Sequence, residues 1–239
     1  VLPEDFHEWE YLANSRTPEA YNKIVKGNAD IIFVAQPSGG QKKRAEESGV
    51  TLIYTPFARE AFVFIVNADN PVNSLTEQQV RDIFSGAITN WRTVGGNDQE
   101  IQTWQRPEDS GSQTVMQSQV MKNVRMISPQ ETKVASVMEG MIKVVAEYRN
   151  TNNAIGYTFR YYATQMNDDK NIKLLAINGI APTAENIRNG KYPYIVDAFM
   201  VTRENTTSET QKLLEWFLTP QGQSLVEDVG YVPMYKTLP

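Results

Sequence analysis

The sequence predicts an α/β protein, and three observations carry that expectation. Short apolar runs with strand character alternate with segments of helical spacing along most of the chain. Helix boundaries carry their own punctuation, as in Thr17-Pro18 at a start and Gly27 at a stop. The chain has 239 residues, 41% of them hydrophobic, enough to bury one large core or two smaller ones.

The elements follow in order. Residues 8–13 alternate as a strand. Thr17 reads as an N-cap and Pro18 as the first residue of a helix whose apolar positions are Ala20, Tyr21, Ile24 and Val25. Residues 30–35 form a continuous apolar run, read as a strand buried on both faces. A Pro37-Ser38-Gly39-Gly40 loop, a polar helix over 41–48 and a strand over 51–54 come next. Lys42-Lys43-Arg44 on that helix reads as a solvated face. Residues 61–67 are the strongest strand. Ser74 or Thr76 caps the following helix, with Val80, Ile83 and Phe84 inward and Gly86 at its end.

A strand over 101–104 leads to a helix over about 113–122, and an amphipathic helix spans 134–149 with Val137, Met141, Val144 and Val145 on one side. Strands over 154–157, 173–177 and 194–201, helices over 209–217 and 220–226, and an extended tail over 230–233 complete the order. Trp91, Trp104 and Trp216 read as packing residues. Tyr157, Tyr161 and Tyr162 could instead line a sugar-stacking cleft, the less favoured reading. Without repeats or a floppy linker, two lobes joined by strands are the natural arrangement.

Composition narrows the chemistry. With no cysteine and a single histidine, His7, there is no disulfide, thiolate metal site or multi-histidine metal site, and no G-x-S-x-G accompanies His7. Metal, cofactor and catalytic residues are therefore not expected. Lys+Arg total 23 against Asp+Glu 28, a net charge of −5, which disfavours nucleic acid as a partner. No run of 18 apolar residues is present. The chain opens Val1-Leu2-Pro3 without a signal peptide, as a mature or trimmed product would.

The segment from Arg106 to Thr114 carries the most chemistry. A strand ends, an arginine follows, and Ser110-Gly111-Ser112 opens a helix. Free amide N–H groups and the helix dipole make such a start attractive to anions. Gly111 lets an anion approach the backbone, Ser110 and Ser112 add hydroxyl donors, and Arg106 adds a permanent planar charge. Glu108 or Asp109 could brace the guanidinium. The bland alternative is a serine-capped helix beside a surface arginine. Asn14-Ser15-Arg16-Thr17 repeats the logic more weakly.

These segments resemble the phosphate-binding solute-receptor family of bacterial ABC transporters. The resemblance runs collinearly through Ala20-Tyr21 to Pro37, residues 61–67, Leu75 to Trp91, Arg106-x3-Ser110-Gly111-Ser112, Asn153 to Tyr157, and Gly230-Tyr231-Val232-Pro233. It implies a two-lobed type II periplasmic-binding-protein fold with a ligand cleft between lobes and two hinge strands. Lobe 1 would be 1–64 plus 190–239 and lobe 2 65–189, with crossings near 62–66 and 194–198. Arg106, Ser110, Gly111 and Ser112 fall on the family's Arg-x3-Ser-Gly-Thr motif, and Thr17, with Ser15 nearby, on its other serine. Glu108 falls on its acidic partner.

Two departures stand out. Ala35 occupies the place of the family's aspartate, which accepts a phosphate proton and excludes sulfate; Gln36 is adjacent and could substitute. No counterpart of the family's first strand, anion-binding loop and helix is seen ahead of residue 8. The resemblance implies a monomeric, extracytoplasmic receptor, a surface lipoprotein or periplasmic protein. It would deliver phosphate or a related oxyanion to an ABC permease or membrane sensor. The alternative is a non-transport sensor or interaction domain on the same fold.

Overall fold

In the computed structural model, which describes residues 12–128, 133–147, 153–166 and 169–234, one long strand sets the architecture. This strand, β2, runs Leu52–Asn67 and changes partners along its length. It follows helix α1 (Thr17–Lys26), strand β1 (Ile31–Val34) and helix α2 (Gly39–Glu47). From Leu52 to Ala61 it pairs antiparallel with β8 (Ile195–Arg203), which also pairs with β1. From Phe62 to Asn67 it pairs with β5 (Ala154–Phe159) and, at its end, with β6 (Ile172–Leu174). The partner change falls between Ala61 and Phe62, and β8 begins at Ile195.

The two halves have separate cores. The half around residues 52–61 is a sheet with α1 on one face, packed through Tyr21, Ile24, Ile32 and Val201. Its other face carries helices α7 (Ser208–Phe217) and α8 (Pro220–Asp228), packed through Phe57, Met200, Leu214 and Val226. The half around residues 62–67 holds the larger core, centred on Phe62, Phe64, Phe84, Trp91 and Tyr157. Strand β3 (Ser74–Leu75), helix α3 (Glu77–Ser85) and strand β4 (Gln102–Thr103) come before helix α4 (Gly111–Val115), which continues as a π-helical turn, Met116–Met121. Helix α5 (Met138–Glu147) packs on β5, β7 (Ala176–Ile177) pairs with β3, helix α6 (Ala184–Arg188) follows, and β9 (Val232–Pro233) pairs with β2 at Ala58 and Arg59.

Several expectations need correction. The strands expected at 51–54 and 61–67 are one strand, because Pro56 is absorbed at a register shift between Pro56 and Ala58. β1 is not buried on both faces: Phe33 is 46% exposed. Helix α1 is capped at Arg16 rather than Thr17, and α2 starts at Gly39 behind Ser38. Thr76, not Ser74, caps α3. Val137 lies outside α5 and is exposed. Trp91 and Trp104 are buried as packing residues, but Trp216 is 38% exposed on α7. The expected strand at 8–13 is not present at Leu12 and Ala13; its remainder, like His7, lies outside the described residues.

Candidate oxyanion site

Helices α1 and α4 start at the same place, one from each half of the molecule. A β-carbon on Gly111 would lie 3.3 Å from Thr17 Oγ1 and 3.0 Å from the β-carbon of Ala35. Only glycine permits this approach without displacement. Thr17 is the first residue of α1, so its hydroxyl is not spent on capping and makes no hydrogen bond among the described residues. Ser110 caps α4 by accepting the amide N–H of Gln113 at 3.3 Å. That bond uses an acceptor lone pair and leaves the Ser110 proton available.

Arg106 is held from several sides. It is 8% exposed. Its backbone N–H donates to the Tyr157 hydroxyl at 3.1 Å and to Gln113 Oε1 at 3.2 Å, and the Tyr157 hydroxyl itself donates to that same oxygen. Its Nη1 donates to the Ala135 carbonyl. The guanidinium Nε and the Ser112 hydroxyl, which is 0% exposed, are both buried with no partner among the described residues. Burial pushes the Arg106 guanidinium below its ordinary pKa, and the positive charge of Arg16 adds a smaller push in the same direction. Buried donors without acceptors, one of them charged, are costly unless an anion joins them. The natural partner is an oxyanion with several acceptor atoms.

From Ser15, Thr17 and Ala35 a cavity of about 220 Å³ opens between the halves, lined also by Phe57, Glu60, Phe159, Tyr161 and Tyr231. Tyr161 stacks on Tyr231 at 4.1 Å and Tyr162 also lines the space, whereas Tyr157 belongs to the core. Glu60 accepts from the N–H groups of Ala61 at 2.7 Å and Tyr161 at 2.8 Å, and burial raises it from 4.5 to about 7. The Ala35 carbonyl accepts the Tyr21 hydroxyl at 3.0 Å.

Of the residues expected at the site, Gly111 lies against Thr17, Ser15 and Thr17 line the cavity wall, and Arg106, Ser110 and Ser112 are buried beside Gly111 in the chain without lining that cavity. Two of the supporting residues, Glu108 and Asp109, are placed differently. Glu108 does not brace Arg106; it is exposed and accepts from Gln117. Asp109 faces Ser38 and Arg44, and Lys42, Lys43 and Arg44 are all exposed, as a solvated face requires. The Gln36 amide donates to the Ser118 hydroxyl at 2.8 Å. Sequence reasoning missed Gln113 and Ala135 as the groups that fix Arg106. Nothing in the sequence marks them, since hydrogen-bond partners 7 and 29 residues from Arg106 follow from packing alone.

An α/β chain whose two halves share a strand and meet at two helix starts has the layout of a two-lobed binding protein of type II. Residues 10–221 match the PBP superfamily domain, and the chain belongs to that superfamily. The phosphate-binding protein PstS of Bacillus subtilis (strain 168) is 29% identical over 209 residues, covering 87% of this chain and 64% of that protein. The chain therefore spans slightly less than two thirds of that relative's length. The protein of the same name from Borreliella burgdorferi is 26% identical over 215 residues, 89% of this chain and 74% of the relative. Among solved structures, a putative phosphate ABC transporter substrate-binding protein with bound phosphate from Clostridium perfringens has a TM-score of 0.74 at 24% identity, covering 91% of this chain and 84% of that one. An ABC-type phosphate transport receptor from Vibrio cholerae reaches 0.66 at 24% identity, covering 90% and 84%. The fold is thus the two-lobed type II arrangement.

Proposed function

We propose that this chain is an extracytoplasmic receptor that captures an inorganic oxyanion, phosphate first, and presents it to an ABC permease. The observation that carries this reading is the pair of buried donors without partners among the described residues, Arg106 Nε and Ser112 Oγ, beside the close approach of Gly111 to Thr17. The relatives named as phosphate-binding proteins support the choice of ligand. The expected bounds, lobe 1 as 1–64 plus 190–239 and lobe 2 as 65–189, are moved a few residues to crossings near 61/62 and 194/195: β2 changes partner between Ala61 and Phe62, β8 begins at Ile195, and Phe62, Phe64, Tyr192 and Tyr194 pack in the larger core. Thr17 comes from lobe 1; Arg106, Ser110, Gly111 and Ser112 come from lobe 2. Closure of the lobes removes water and strengthens each charge-assisted bond. The protein acts as a monomer and binds without turnover.

Calorimetric titration of refolded, phosphate-free protein with phosphate tests this directly. A single saturable site, lost in Arg106→Ala while the fold is retained by circular dichroism, is the expected outcome. A folded parent protein that takes up neither phosphate nor sulfate would overturn it and favour the sensor or interaction reading.

A further inference from the structure

Beside the cradle, residues 36–44 of one half meet residues 109–118 of the other. Asp109 has a φ of 65°, in the left-handed region that aspartate tolerates better than most residues. Its carboxylate accepts the Ser38 hydroxyl on one oxygen and Arg44 Nη2 at 3.0 Å on the other. Its backbone carbonyl accepts Gln41 Nε2 at 3.0 Å. A β-carbon on Gly40 would lie 3.3 Å from Asp109 Oδ1, so the bare backbone there lets the carboxylate reach the first turn of α2. Ser38 is at the same time the N-cap of that helix, bonded to the Gln41 N–H at 3.1 Å. A carboxylate at a helix start is held by the dipole as well as by its hydrogen bonds. The Ser38 hydroxyl, and after it Arg44, keep the Asp109 carboxyl below the usual carboxylate range. The Gln36–Ser118 bond is a further contact across the same seam, with Ser118 anchored to the Thr114 carbonyl at 2.7 Å.

We propose that Asp109 is a positioning residue: its seat on the N-terminus of α2 latches the two lobes together and sets how long the closed protein retains its ligand. The inference rests on the reading that the lobes close over an oxyanion. None of these contacts touches the cradle groups Arg106 Nε or Ser112 Oγ, so the latch would act on the lifetime of the closed form and not on recognition of the anion.

The absence of native cysteines allows a clean test. Spin labels at Glu47→Cys and Lys143→Cys, both exposed positions on opposite lobes, report the lobe separation by pulsed dipolar spectroscopy. Stopped-flow mixing with inorganic phosphate reports association and release. Asp109→Ala is expected to lengthen the label distance and to speed phosphate release about tenfold, with association changed less than about twofold. Asp109→Asn, isosteric at a partly buried position, guards against misfolding and should act in the same direction. Arg44→Ala should give a smaller effect, as expected for a half-exposed charge. A distance distribution identical to the parent, or unchanged release despite a shift, overturns the latch. If the parent takes up no phosphate, the receptor reading fails, and the label distance without ligand still decides: longer in the Asp109 variants supports the latch, unchanged rejects it.

Discussion

A single methyl group on Gly111 would stand 3.3 Å from the hydroxyl oxygen of Thr17, across the line where the two lobes meet. The same methyl would press on Ala35 at 3.0 Å. Gly111→Ala should therefore hold the lobes apart by a few tenths of an ångström. The expected result is an oxyanion affinity about tenfold or more weaker, since each 1.4 kcal/mol is a factor of ten. Thermal stability should change little, because φ at Gly111 is not in the left-handed region. Calorimetry paired with a melting curve checks both parts.

Arg106 carries the charge of the site. Arg106→Lys keeps the charge but loses the planar fork, and with it either the Ala135 bond or the reach of Nε. Affinity should fall about a hundredfold or more in Arg106→Ala and by less in Arg106→Lys, given about 1.5–3 kcal/mol for each hydrogen bond to a charged group. Titration of both variants against phosphate gives the ordering.

Ala35 fixes the expected selectivity. Its side chain ends in a methyl group facing Gly111, and its carbonyl already accepts from Tyr21. A protonated phosphate oxygen at this edge finds no carboxylate from position 35. Sulfate, which has no proton to place, should compete with phosphate within about tenfold, the size of one unmet donor at the low end of its cost. Ala35→Asp should widen the preference for phosphate, measured by competition titration.

Glu60 makes stability pH-dependent. It is 4% exposed, and desolvation raises its folded pKa from 4.5 to about 7, only partly opposed by the N–H groups of Ala61 and Tyr161 and by Arg160. A raised carboxyl pKa means that the folded protein binds the proton more tightly than the unfolded chain. Its contribution is fully present below about pH 4.5 and is lost as pH rises through about 7. The change is on the order of 3 kcal/mol, at 1.36 kcal/mol per pKa unit. Urea midpoints at pH 5 and pH 8 should show this fall in the parent and a much flatter response in Glu60→Gln.

Gly222 lies in the first turn of α8, capped by Thr219. A β-carbon there would sit 2.2 Å from the Trp216 carbonyl oxygen and 2.6 Å from the α-carbon of Phe217. Both are backbone atoms, which cannot swing aside. Gly222→Ala should cost several kcal/mol, in the class of overpacked core substitutions. Chemical denaturation gives the number, and phosphate affinity of the fraction that folds should be little altered.

The chain's local chemistry was legible residue by residue. Gly27 and Gly86 stop α1 and α3 with φ of 76° and 84°, as C-terminal glycines do. The apolar spacing of Val80, Ile83 and Phe84 put one helix face inward, and all three are buried. Arg106-x3-Ser110-Gly111-Ser112 could be read as a cradle because every group it needs lies within one strand-to-helix turn. What the sequence could not settle depends on contacts between distant segments. Whether residues 51–54 and 61–67 are one strand depends on β8 supplying partners across Pro56. Whether Asp109 braces Arg106 or grips α2 depends on where residues 38–44 fall in space. Local periodicity and capping are set by neighbours within four residues, so the sequence by itself determines them. Pairing across 65 to 130 residues, as in Arg44 with Asp109 or Phe62 with Tyr192, depends on how two cores dock, and only the tertiary structure decides it.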